Sequence, residues 1–79
     1  MVLEVRVFGG LEKLIPGASF GKPMEVRADQ GTTVAGLLKM LQIPEDQVFS
    51  ILVNGVHYDK GNLLSDGDRV AFFPPIGGG

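Results

Sequence analysis

The chain has 79 residues, no cysteine, 44% apolar residues and a net charge of −2 at pH 7, with a pI near 5.1 and a mean hydropathy of +0.22. This length makes one domain, and this hydrophobicity at low net charge excludes disorder; seven Lys and Arg without a basic run argue against nucleic acid as a partner. Lack of cysteine removes disulfides, thiolate nucleophiles and thiolate metal sites, and Met1 to Phe8 has neither the basic start nor the apolar run of a secretion signal, so a cytoplasmic domain with no membrane partner is expected.

From Leu3 to Phe8 the residues alternate. Leu3, Val5 and Val7 fall on one face and Glu4, Arg6 and Phe8 on the other, the period of a half-buried strand. Phe8 breaks the polar row and is expected to point away from the core. Gly9-Gly10 ends the strand, Leu11 to Ile15 has room for a turn of helix, and Pro16-Gly17 closes it. The path from 9 to 23 is otherwise undefined by pattern.

Met24 to Ala28 alternates again, with Met24, Val26 and Ala28 inward, and is expected to pair antiparallel with the first strand. Asp29-Gln30-Gly31 is turn chemistry. Thr32 or Thr33 then caps a helix in which Val34, Leu37, Leu38 and Leu41 form one apolar stripe. Gly36 within it suggests a close approach to the sheet, and Pro44 is expected to end the helix.

Phe49 to Val53 reads as a third strand, followed by the hairpin signal Asn54-Gly55 and a short strand Val56-His57-Tyr58. Ile51, Val53, Val56 and Tyr58 are expected inward, Leu52 and His57 outward. A loop through Lys60-Gly61-Asn62 leads to a last strand from Arg69 to Phe73, with Val70 and Phe72 on the core side. One amphipathic helix can cover one face of one mixed sheet, so the layer rules leave an α+β roll with the first and last strands adjacent and central. Phe8, Leu52, His57 and Phe73 then share the uncovered face, a candidate partner surface.

No catalytic constellation stands out. His57 is the only histidine, without a cysteine to activate or a second histidine to complete a metal site, and reads as an ordinary strand residue. Asp66 and Asp68 around Gly67 fit a tight turn and lack the spacing of a calcium loop. Glu45 and Asp46 after Pro44 fit a solvated helix start.

The chain ends Phe73-Pro74-Pro75-Ile76-Gly77-Gly78-Gly79. Prolines favour extended geometry and launch the chain away from the last strand, and terminal glycines are thin and entropically costly to order. On the glycines alone a frayed end and a working tail are equally open. The remaining reactive group is the α-carboxylate of Gly79, a poor electrophile that needs activation in another protein's site.

The run from Leu64 to Gly79 resembles the C-terminal signature of the MoaD/ThiS family of ubiquitin-like sulfur carriers, especially its molybdopterin synthase small subunits. The resemblance implies an α+β, ubiquitin-like β-grasp fold over residues 1–75, a mixed four- to five-stranded sheet under one main helix, and a flexible glycine tail over 76–79. It implies a C-terminal Gly79 that an adenylating enzyme activates with ATP and magnesium, no cofactor being bound by the carrier, and that becomes a sulfur-donating thiocarboxylate. Implied partners are that enzyme and a larger molybdopterin synthase subunit or another sulfur acceptor. The chain alone is then a non-catalytic subunit. Gly77 and Gly78 precede the sulfur-bearing residue, and Phe8 and Phe73 match apolar positions used against partners; Leu52 and His57, from the uncovered face, and Pro74, Pro75 and Ile76, at the base of the tail, complete the expected partner surface. The family also contains thiamine and other sulfur carriers, and relatives conjugated to lysines. His57 departs from the pattern, standing where the molybdopterin branch tends to be apolar, and Gly77 is an additional glycine.

Overall fold

The computed structural model describes residues 1–75; the expectations for Ile76, Gly77, Gly78 and Gly79, and for a tail over 76–79, lie outside the described residues. Five strands form one sheet: β1 (Val2–Val7), β2 (Met24–Arg27), β3 (Ser50–Val53), β4 (Val56–His57) and β5 (Arg69–Phe73). Their order is β2-β1-β5-β3-β4. β1 and β5 run parallel at the centre, with Val5 opposite Val70 and Val7 opposite Phe72, and β3 flanks β5 antiparallel, with Ile51 opposite Phe72. This order, with one helix crossing between β2 and β3 on a single face, is the ubiquitin-like β-grasp.

The alternation of β1 and β5 translates directly into burial. Leu3, Val5, Val7, Val70 and Phe72 are each at most 1% exposed, because a period of two puts them all on the face that α1 (Val34–Met40) covers. Val34, Leu37 and Leu38 close the core from the helix side. Thr33 is the cap, its hydroxyl accepting from the Gly36 amide at 3.1 Å.

Three local expectations need correction. Around Gly36 no sheet atom among the described residues lies within 4 Å of a Cβ built there, the neighbours being Thr32 and Thr33. Its position serves the cap turn, not a close approach to the sheet. The helix also ends before Pro44: Gln42 turns left-handed at φ 59°, while the amide of Ile43 donates to Leu38 and that of Gln42 to Lys39. This pair of bonds is a Schellman stop, sealed by burial of Ile43. Val56, expected inward, is 59% exposed because the two-residue edge strand lies beyond the helix, although it faces Val53 across the pair.

The hairpin Asn54-Gly55 has both residues at positive φ, 53° and 82°, as the sequence implies. Asn54 does more than turn the chain. Its side-chain oxygen accepts from the Arg69 amide and its amide nitrogen donates to Asp68 at 2.9 Å. Asp68, only 8% exposed, also accepts from the Ser65 amide at 2.7 Å. The residue that reads as a plain turn acid therefore pins the start of β5 to the hairpin.

Candidate functional site

Because α1 covers one face of the sheet, the other is left to the alternate residues of β1 and β5 that point away from the core. Glu4, Arg6 and Phe8 follow one another along β1 and its end, beside Arg69, Ala71 and Phe73 on β5. Phe8 lies one residue past β1, still held in line by its amide, which donates to the Phe72 carbonyl at 3.2 Å. Its ring stacks on Phe73 with centroids 4.7 Å apart and planes 6° from parallel. Both rings are half-buried.

The loop from 9 to 23, which pattern left undefined, folds around this stack. After the turn at Gly9-Gly10, residues Leu11–Leu14 form a turn of 3-10 helix that buries Leu11. The chain returns at Gly21, whose amide donates to the Val7 carbonyl at 2.9 Å. Phe20 is thereby set edge-on to Phe8 at 5.3 Å and 90°. Gly21 has φ +67°, and a Cβ there would meet the Phe8 ring at 3.0 Å. A glycine is needed so that the loop can close on the ring.

On the other side of the stack, the Phe49 amide donates to the Phe73 carbonyl at 2.8 Å. Phe49 precedes β3 and its side chain is 75% exposed; Phe20 is 67% exposed. Together with Phe8, Phe73, Pro74 and Pro75 they line an open groove of about 700 Å³. Four phenylalanines gathered at one end of so small a domain make this groove the candidate interaction site.

The sequence-predicted residues are only partly brought together. Phe8, Phe73, Pro74 and Pro75 share the groove. Leu52 and His57 are on the same face and opposite each other across β3 and β4, but Leu52 lies with Arg6, Arg69 and Ala71 in a separate hollow. Ile76, Gly77, Gly78 and Gly79 lie outside the described residues. Phe20 and Phe49 were not anticipated as site residues. The available signal was a phenylalanine between Ala18-Ser19 and Gly21-Lys22, and another at the head of a strand, where alternation with Ile51 and Val53 puts it on the core side although the strand begins only at Ser50.

The centre of the face is charged. Arg6 pairs with Glu4 at 3.5 Å, both side chains substantially exposed, and a pair so placed contributes about 0–1 kcal/mol. Its consequence is wetting: the phenylalanine-lined part of the face is confined to the end of the sheet from which Pro74-Pro75 leaves. Among the described residues no helix is long and apolar enough to cross a membrane.

The geometry is therefore a rigid sheet centre, an aromatic rim and a proline-bounded exit. Chains of known structure share the fold. The Haloferax volcanii protein HVO 2177 is 29% identical over all of this chain and 87% of its own, with a TM-score of 0.76. Small archaeal modifier protein 1 of the same organism is 25% identical over 95% of this chain and 98% of its own, TM-score 0.70. A chain in the complex of subunits 1 and 2 of the molybdopterin-converting factor of Helicobacter pylori 26695 is 27% identical over the full length of both, TM-score 0.62. No curated protein gives a significant sequence match. The profile of the ThiS family matches residues 5–79, and the chain belongs to that family of ubiquitin-like carriers.

Proposed function

We propose that this chain is a sulfur carrier whose C-terminal Gly79 is adenylated and then converted to a thiocarboxylate, serving as the small, sulfur-donating subunit of a molybdopterin synthase. The observation that supports this reading is the origin of the tail. β5 is hydrogen-bonded on both sides as a central strand and runs without a break into Pro74-Pro75 beside the aromatic groove, so a partner docked there meets a fixed launch point.

The chemistry follows from the carboxylate. A Gly79 oxygen attacks the α-phosphorus of ATP held with magnesium by the adenylating enzyme, pyrophosphate leaves, and a sulfur nucleophile then displaces AMP from the acyl carbon. Glycine presents no Cβ to the incoming group. The absence of cysteine leaves no internal thiol to intercept the activated acyl group. A larger synthase subunit would receive the thiocarboxylate.

Chain-dependent exchange of radiolabelled pyrophosphate into ATP by the adenylating enzyme of the same genome tests the first step. Exchange with the full chain, and its loss when Gly79 is deleted, is the expected result; no exchange with the full chain contradicts the reading.

A second reading has one specific support, the likeness to small archaeal modifier protein 1. In that case the activated Gly79 is joined to lysines of other proteins. Lysines in the native host carrying the Val70 to Gly79 remnant that trypsin leaves by cutting after Arg69 would favour it, and only thiocarboxylate chain would favour the carrier.

A further inference from the structure

Phe20 and Phe49, on either side of the tail base, are 67% and 75% exposed and nothing in the core requires them there. Phe49 has no aromatic neighbour in ring contact among the described residues, and only its backbone is engaged, with Phe73. Isolated apolar residues at a surface are ordinary. These two are not isolated, since both line the groove that ends at Pro74 and Pro75.

The length of chain beyond Pro75 says what covers them. Four residues, Ile76 to Gly79, span at most about 13–14 Å when fully extended. An active site recessed in another protein can take the Gly79 carboxylate only if that protein's surface comes flush against the point where the tail leaves the sheet. Whatever lies beside Pro74 and Pro75 is then inside the contact, and Phe20 and Phe49 are its two exposed aromatic residues.

We infer that Phe20 and Phe49 form a clamp that seats an apolar projection of the tail-activating enzyme in the groove at the tail base. The inference rests on the carrier reading above and names the part of this chain that holds the enzyme during adenylation. Both residues contact the enzyme's surface and not the reacting atoms, so they supply binding that is equal before and during the chemical step. Such uniform binding sets KM and leaves kcat alone. The substitutions must therefore separate the two constants.

The test measures pyrophosphate exchange by the same-genome adenylating enzyme, with ATP and magnesium, at varied concentrations of the full-length chain. Phe49→Ser should raise KM for the chain tenfold or more, about the loss expected of an aromatic anchor, with kcat unchanged. Phe20→Ser should act in the same direction, and Phe49→Leu should recover most of the loss. Circular dichroism and the urea midpoint verify that Phe49→Ser is folded.

Wild-type exchange with an unchanged KM in both serine variants overturns the clamp while leaving the carrier reading intact. No exchange with wild type overturns the carrier reading itself. A fall in kcat with KM unchanged would place the rings at the chemical step and also overturns the inference. So does a wild-type dimer in sedimentation that Phe49→Ser abolishes, because a second copy would then be the occupant.

Discussion

Gly9 sits directly against Pro74: a Cβ on Gly9 would lie 2.5 Å from the Pro74 Cγ and 2.8 Å from its Cδ. The end of β1 thus sets where the tail begins, and only a residue without a side chain fits there. Gly9 also has φ +65°, which costs an L-residue about 1–2 kcal/mol.

Gly9→Ala should therefore destabilise the domain by about 2–3 kcal/mol, the left-handed strain plus the clash. Gly10, at φ +103° with no heavy atom within 4 Å among the described residues, escapes the clash but not the strain, and should lose about 1–2 kcal/mol on change to Ala. Pro74→Ala removes the two clashing atoms and leaves the Cβ at an ordinary 4.0 Å. In the Gly9→Ala background it should restore about 1 kcal/mol. Urea midpoints of the four proteins check the cycle.

Phe72 and Phe73 are neighbours in sequence with opposite roles. Phe72 is 0% exposed in the core, and Phe72→Ala should cost about 3–5 kcal/mol. Phe73 is half-buried on the open face against Phe8, so Phe73→Ala should cost about 1–2 kcal/mol and leave a folded protein with weakened partner binding. Thermal melts and a binding assay against the activating enzyme separate the two residues.

The contact of Asn54 with Asp68 gives a second stability test. Asn54→Gly keeps the positive φ that the turn requires but removes both side-chain hydrogen bonds, one of them to a carboxylate. A loss of about 2 kcal/mol is expected. An unchanged urea midpoint would mean that the pin between the hairpin and β5 contributes nothing.

The helix stop offers a change in the other direction. Gln42 holds φ 59°, where Gly is free of Cβ strain, so Gln42→Gly should stabilise by about 0.5–1 kcal/mol, seen as a higher urea midpoint.

Much of this was legible before the fold was seen. Leu3, Val5 and Val7, and Val70 and Phe72, announce their faces because strand period is local and each run is long enough to show it. Asn54-Gly55 is equally explicit, since two consecutive positive-φ residues have few other uses. What escaped depends on distant neighbours. The loop bearing Phe20 is organised by a ring on β1 and by a hydrogen bond from Gly21 to Val7, neither visible in its own composition. Val56 alternates correctly but lies beyond the helix, and Asp68 acquires its burial from a side chain 14 positions away. Of the candidate site, Phe8 and Phe73 follow from parity; Phe49 does not, because it stands before its strand begins.

The most direct measurement of the central claim is the intact mass of the full chain after incubation with the activating enzyme, ATP, magnesium and a sulfur donor. The account predicts a product heavier by one oxygen-to-sulfur exchange, located by fragmentation at Gly79 and absent when ATP is omitted. A chain recovered unchanged, from a reaction in which the enzyme is shown to be active on another carrier, would contradict it.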